Sequence, residues 1–238
     1  MKLLHIADLH IGKRVNGMSM IEDQANVIAQ LVTIARDENV AGVLIAGDVF
    51  DRPVPSREAL ETCESLFSGF CEAGIAVSST HLDMVANSVA IVKAARAAGV
   101  PVIFADDAHV PGLDRELELW GDHGIAGTED AKPAAAFEVG EGDYVIPKRR
   151  YDAFFQTDLD LTLRELGVDT LIVVGADTNI CVLQTLAGAY FRAYKTIVAA
   201  DATATFLIGT QEYGLEYFSR CYDSRVVDTA RVLSYLAA

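Results

Sequence analysis

The chain has 238 residues, 51% hydrophobic and 22% charged, with a formal net charge of −15. That composition is globular and can bury a large core, while no run approaches the ~20 apolar residues of a membrane helix. The acidic balance disfavours nucleic acid as a partner, because phosphate binding needs clustered Lys and Arg and the densest basic run is only Lys148-Arg149-Arg150. The N-terminus turns acidic at Asp8, too early for a secretory signal, so the expected location is cytoplasmic.

Residues 2–7 form a short apolar run ending at Asp8, the pattern of a buried strand. Ile21, Ala25, Ile28, Val32 and Ala35 recur at helical spacing, and a second strand over 43–46 ends at Gly47-Asp48. Ser56 is placed to cap a helix carrying Leu60, Cys63, Leu66, Phe67 and Phe70 on one face, and 75–77 is a third strand. An Ala-rich helix over 86–98 stops at Gly99, and strand 102–105 ends in Asp106-Asp107. Residues 109–141 are irregular.

A short strand over 144–146 is followed by a helix over 158–166, with Thr157 as cap and Asp160 in a capping box. An apolar strand over 170–174 then runs into Gly175-Ala176-Asp177-Thr178-Asn179, and the next helix holds Cys181 and reaches Tyr194. Strand 196–199, a helix, a short strand at Val226-Val227 and a final helix complete the pattern. Such alternation predicts an α/β fold of three layers, α/β/α, with a mostly parallel central sheet. Ligands of these sheets sit at the carboxyl ends of the strands. Asp8, Asp48, Asp107 and Asp177 all fall there.

The cysteines are Cys63, Cys71, Cys181 and Cys221, and their spacings match no zinc or redox pattern. Cys63 and Cys71 belong to an apolar helical stripe, where Cys acts as a small hydrophobe. Cys181 opens a helix after a buried strand and a tight polar turn. Unpaired N–H groups and partial positive charge at such a terminus lower a thiol pKa and can hold an oxyanion. Taken alone, the turn also fits a buried structural thiol.

Further residues add to that local reading. The stretch from Asp143 through Pro147-Lys148-Arg149-Arg150-Tyr151 to Leu159 resembles the lysine segment of the isochorismatase-like cysteine hydrolases. Leu163 to Gly175 is similar to the strand before their cysteine. Val102 to His109, Trp120-Gly121-Asp122-His123-Gly124 and Gly127-Thr128 are similar to their pocket segments. The likeness runs from about Ala86 to Thr205.

The resemblance implies a Cys–Lys–Asp triad with Cys181 as nucleophile and Lys148 beside it, favouring the thiolate. It implies an oxyanion hole from the backbone of Asp177 and Cys181, and a cis peptide at Ala176–Asp177. It places the triad carboxylate at the end of a first strand, usually just before Met. Asp83-Met84 has that dipeptide but stands closer to Asp107 than the family's spacing, and Asp8 is the alternative. Family members with the cysteine are amidases, including nicotinamidases and hydrolases of carbamoyl or ureido compounds. Nicotinamidases often add a metal through Asp-x-His, the form of Asp107-Ala108-His109, with His123 able to join. The downstream spacing departs from theirs, so no cofactor is expected. Asp107, His109, Trp120, His123 and Tyr151 are expected to line a pocket for a small-molecule substrate.

Residues 1–77 differ. Asp8-Leu9-His10-Ile11-Gly12-Lys13-Arg14 and Gly47-Asp48-Val49-Phe50-Asp51-Arg52 resemble the start of SbcD-type DNA exonucleases, which are calcineurin-like metallophosphoesterases. Asp8, His10 and Asp48 are credible hard-metal ligands. That family's following Asn-His-Asp is replaced by Ser78-Ser79-Thr80-His81-Leu82-Asp83, so a complete two-metal centre is not expected. The chain therefore divides into a phosphoesterase-like segment, 1–77, and a hydrolase region, 78–238, either separate or merged in one α/β domain. The expected function is hydrolysis of a small amide-like C–N bond by a homo-oligomer. The alternatives are a metal-dependent phosphoesterase fragment and an inert hybrid.

Overall fold

The computed structural model describes residues 2–46, 49–51, 56–78 and 80–237, with the backbone alone at 76–78 and 80–82. The chain divides into two compact units, Met1–Thr80 and His81–Ala238. The first contains β1 (Leu3–Ala7), the hairpin β2 (Arg14–Val15) and β3 (Met18–Ser19), α1 (Ile21–Asp37), β4 (Gly42–Ala46), α2 (Arg57–Glu72) and β5 (Ala76–Ser78). β1, β4 and β5 form a parallel sheet in that order.

The helical spacing seen in the sequence turns Ile28 and Ala35 of α1, and Cys63, Leu66 and Phe70 of α2, into one core with Ile6, Val43 and Ile45. Ser56 caps α2 as expected, its Oγ accepting from Ala59 N at 3.3 Å. The helices approach closely at Gly69, where a Cβ would stand 2.8 Å from Val32 Cγ2. A larger residue there must push α1 and α2 apart, because close-packed interiors have no slack.

The second unit continues with α3 (Thr80–Ala97), β6 (Ile103–Phe104), α4 (Glu116–Trp120), β7 (Tyr144–Val145) and α5 (Leu159–Glu165). It ends with β8 (Thr170–Ala176), α6 (Leu183–Phe191), β9 (Lys195–Ala204), α7 (Gln211–Tyr222), β10 (Arg225–Val227) and α8 (Thr229–Leu236). Strand residues alternate between two helical layers, as period two requires. Leu171 packs with Leu159 and Leu163 of α5, and Val173 and Val198 with Leu186 of α6 and Phe218 of α7. Ile172, Ile197 and Ala199 face the other way, toward Ile91 of α3 and Val232 of α8. The α/β class and parallel pairing agree with the sequence pattern.

Three local readings change. α3 begins at Thr80 rather than at residue 86, with Asp83 in its first turn, where the helix dipole favours an acid. The capping box of α5 does not form, because Asp160 turns instead to Arg164 and to the Tyr194 hydroxyl, which donates to it at 2.9 Å. The strand pairing is divided. Among the described residues they form the ladders β1-β4-β5, β10-β9-β8 and β6-β7 beside the β2-β3 hairpin.

Candidate active site

Three chain segments meet at Lys148. Beyond β7 the backbone stays in register with the segment after β6. Lys148 N donates to Asp106 O at 2.9 Å, and Ala108 N to Lys148 O at 2.7 Å. Asp107 and Lys148 are therefore directly opposed across a parallel bridge, and their side chains join in a short ion pair. From the other side, Cys181 Sγ lies 3.8 Å from Lys148 Nζ. Lys148 is 4% exposed. Burial disfavours its charge, but the Cys181 sulfur, Asp107 and Glu116 outweigh that, and its pKa is raised.

The turn that carries the thiol is tied at several points. The peptide bond Ala176–Asp177 is cis, where the family resemblance puts it. Asp177 caps the following turn, its Oδ1 accepting from Asn179 N at 2.8 Å and from the Thr205 hydroxyl at 2.9 Å. Its Oδ2 accepts from Phe206 N at 2.6 Å and Leu207 N at 3.1 Å. Asn179 Nδ2 donates to Ile208 O at 2.7 Å. Residues Thr178–Val182 make one turn of π-helix before α6, a form frequent at functional sites. The helix of the sequence pattern thus starts wider than expected, with Cys181 inside the wide turn.

Burial pushes the Cys181 thiol up to about 11, and the charges of Asp107 and Glu116 add to it. Lys148 and the Asp177 backbone N–H pull the other way without winning. The lowered thiol expected from the helix terminus and the lysine is therefore not found, because burial outweighs both.

The residues expected to line the pocket form two groups, and of them only Asp107 borders the cavity at Cys181 and Lys148. Trp120 Nε1 donates to the Tyr151 hydroxyl at 3.0 Å. Asp107, His109 and His123 gather with Glu116, their ligand atoms all within 4.8 Å of one another. His109 is fully buried, and neither ring nitrogen has a hydrogen-bond partner. Its Nε2 lies 3.7 Å from Glu116 Oε1 and 3.8 Å from Asp107 Oδ1. His123 Nε2 lies 3.6 Å from Glu116 Oε1, and this carboxylate raises the imidazole pKa against the effect of burial. Two imidazoles and two carboxylates suit a first-row transition metal, and the orphaned buried nitrogens of His109 fit a metal-ligating role.

Behind this cluster, Asp114 accepts from Arg149 at 2.7 and 3.1 Å, from Arg150 at 2.8 Å and from Val110 N at 2.7 Å. The Arg149 hydrogen bonds, helped by Arg150, hold its carboxyl well below the usual carboxylate range despite burial. The loop returns against the site at Gly124. A Cβ there would stand 2.8 Å from Asp107 Cβ, and its carbonyl accepts from His109 N.

Asp83 is exposed on α3 and makes no hydrogen bond or ion pair with Lys148 or Cys181. The carboxylate that Lys148 holds is Asp107, which the sequence placed only in the pocket wall. In the first unit, Asp8 is exposed beyond β1 with a left-handed backbone (φ 53). His10 Nδ1 lies 3.7 Å from Asp51 Oδ1. Asp48 and the side chain of His81 lie outside the described residues. Among the described residues, the cluster at Glu116 is the group of three or more potential metal ligands. Glu116 and Asp114 were missed in the sequence, since both lie in the stretch without periodicity. Their signal is a position between Asp107-x-His109 and His123.

The model of the isochorismatase domain matches residues 65–231, and that of the calcineurin-like phosphoesterase matches residues 1–77. The ureidoacrylate amidohydrolase RutB of Serratia proteamaculans is 35% identical over 151 residues, 55% of this chain and 60% of that protein. The chain thus spans about three fifths of that relative's length. The isochorismatase family protein YwoC of Bacillus subtilis, itself uncharacterized, is 37% identical over 54% of this chain and 69% of its own. The crystal structure of N-carbamoylsarcosine amidase from Thermoplasma acidophilum superposes with a TM-score of 0.59 at 32% identity, over 64% of this chain and 86% of that one. The nicotinamidase/pyrazinamidase PncA of Bacillus subtilis gives 0.59 at 28% identity, over 63% and 87%. With the domain model matched over more than half its length, around a cysteine, a lysine and an aspartate brought together by three strand ends, the chain belongs to the isochorismatase family.

Proposed function

We propose that the protein hydrolyses a small amide-type C–N bond, in an amide, carbamoyl or ureido compound, with Cys181 as nucleophile. The observation that carries this reading is Lys148, buried between the Asp107 carboxylate and the Cys181 sulfur. Cys181 Sγ gives its proton to Lys148 as Lys148 passes one to Asp107, and the sulfur attacks the substrate carbonyl carbon. The backbone N–H groups of Asp177 and Cys181 hold the resulting oxyanion. Lys148 gives a proton to the departing nitrogen and takes one back from Asp107, the C–N bond breaks, and a thioester remains beside a restored ammonium–carboxylate pair. Water then attacks the thioester carbon, giving up a proton to Asp107. The acid leaves and the thiol is restored. Trp120 and Tyr151 line the substrate pocket.

Asp107, His109, Glu116 and His123 would hold a divalent transition metal, which supplies Lewis acidity toward a substrate heteroatom when bound. The relatives named for ureidoacrylate, N-carbamoylsarcosine and nicotinamide support a search among such compounds. Assembly as a homo-oligomer is part of the proposal, supported by Phe191 standing 77% exposed on α6; sedimentation at several concentrations tests it. No described helix is long and apolar enough to cross a membrane.

The test is release of ammonia or amine from a panel of these compounds by the purified chain and by Cys181→Ala. Turnover that survives the substitution would remove Cys181 from the reaction. Divalent-metal-dependent phosphodiesterase activity abolished by Asp8→Ala would favour the first unit instead.

A further inference from the structure

We propose that Asp114 is a positioning residue: its buried carboxylate ties the Asp107 and Lys148 segments together where their backbone bonds end, and so holds His109 and Glu116 in place to take a divalent metal. The role rests on, and deepens, the reading of that cluster as a metal site.

The backbone pairing of the two segments is short. Lys148 N donates to Asp106 O, and Ala108 N to Lys148 O. One residue further the segments part. His109 N turns to Gly124 O, and among the described residues no backbone hydrogen bond joins 109–114 to 149–151. Asp114 stands in that place. Its Oδ1 accepts from Arg149 Nη2 at 2.7 Å and Arg150 Nη1 at 2.8 Å. Its Oδ2 accepts from Arg149 Nε at 3.1 Å and Val110 N at 2.7 Å. Each oxygen thus carries two donors, and the fork of Arg149 fixes direction as well as distance. The Asp114 side chain is fully buried while both arginines are half-exposed. All of these residues belong to the second unit.

The contacts fall one residue from groups of the site. Arg149 follows Lys148, and Val110 follows His109. The Asp114 backbone takes part as well. Its N–H donates to Val110 O at 3.1 Å, and its carbonyl accepts from Leu117 N at 3.2 Å, closing the turn that carries Glu116. Asp114 Oδ2 also lies 3.7 Å from His109 Nδ1, while Nε2 of that ring faces Glu116 and Asp107. A negative charge on the Nδ1 side favours the N–H there and leaves the Nε2 lone pair for the ligand cluster, as outer carboxylates do for metal-binding histidines. His109 makes no side-chain hydrogen bond of its own, so its ring is oriented by packing and by the charges around it.

A buried carboxylate paired with arginines is weak support for a fold, because desolvation offsets much of the attraction. What the four bonds fix is geometry. Without them the 110–114 segment shifts relative to Lys148, and His109 and Glu116 shift with it.

The experiment titrates cobalt(II) into the metal-free full chain and three variants, reading affinity by calorimetry and ligand geometry from the visible d–d bands. Asp114→Asn keeps an acceptor for Val110 N but loses the charge. Arg149→Lys, at a half-exposed position, keeps the charge but loses the fork, and it decides the matter if Asp114→Asn does not fold. Asp201→Asn is the comparison: Asp201 accepts from Thr229 N at 2.7 Å and Thr229 Oγ1 at 2.8 Å, away from the cluster. All are measured without urea and checked for folding by far-UV circular dichroism, so a role limited to stability leaves cobalt binding unchanged. Asp114→Asn should bind cobalt about tenfold more weakly or worse, with altered bands at saturation. Arg149→Lys should lose about threefold through the missing fork, and Asp201→Asn should match the wild type. Wild-type affinity and bands in both Asp114→Asn and Arg149→Lys overturn this role alone, as does equal weakening in Asp201→Asn. No cobalt binding by the wild type overturns the metal reading together with it.

Discussion

Lys148→Met removes the cation beside Cys181 with little change in side-chain bulk. At 3.8 Å and an effective dielectric of about 20, a unit charge acts on the thiolate with about 4 kcal/mol, or about 3 pKa units. Asp107 sits on the far side of Lys148 and opposes it, so the net loss is about 1–3 units. With the thiol already at about 11 in the intact site, the substitution moves it beyond the accessible range. Alkylation by iodoacetamide proceeds through the thiolate. Below its pKa the rate therefore rises about tenfold per pH unit, and at pH 8 it should fall about 10- to 1000-fold in the variant. Peptide mass spectrometry resolves Cys181 from Cys71 and Cys221, which are exposed and serve as references on the same molecule. Cys63, raised to about 11 by burial, should stay unreactive in both proteins. An unchanged or faster rate at Cys181 would show that Lys148 does not set the state of the thiol.

Glu116→Gln and His109→Ala should each weaken binding of zinc or manganese at least tenfold by calorimetry, and unaltered binding would place the metal elsewhere. Asp114→Asn should cost about 1–3 kcal/mol in urea unfolding at pH 7, because it removes the buried charge that accepts from the exposed Arg149 and Arg150. Asp114 is depressed in the folded state. Its contribution is full above the unfolded value of about 3.9 and is lost as pH falls further, so the gap between wild type and variant should close in acid; a gap independent of pH would contradict the assignment. Gly214→Ala would drive a Cβ into Asn179 Oδ1 and to 3.0 Å from Thr178 Cγ2. Alkylation at Cys181 and turnover should change together while far-UV circular dichroism is retained, and unchanged reactivity would mean the turn absorbs the methyl group.

What the sequence disclosed of the site follows from where each residue stands. Lys148, Asp177 and Cys181 lie next to strongly patterned strands, and the run from Thr170 to Gly175 places the turn before the cysteine without tertiary information. Asp107 was found as a residue but not as the partner of Lys148. That contact depends on the backbone after β6 keeping register with β7 beyond both named strands, which no periodicity of two-residue strands can announce. Glu116 and Asp114 lie in an irregular stretch whose course is set by hydrogen bonds such as Val110 N to Asp114 and His109 N to Gly124 O.

Asp83 shows the opposite failure. An Asp-Met pair resembles a strand end only if a strand precedes it, and here β5 stops at Ser78 and α3 has begun by Thr80. The helix dipole at its first turn is sufficient reason for an acid there. Sequence likeness pointed to Cys181 and Lys148 as neighbours because the strands that carry them are present in this chain. The carboxylate at Lys148 is instead Asp107, beyond β6, while Asp83 stands on α3.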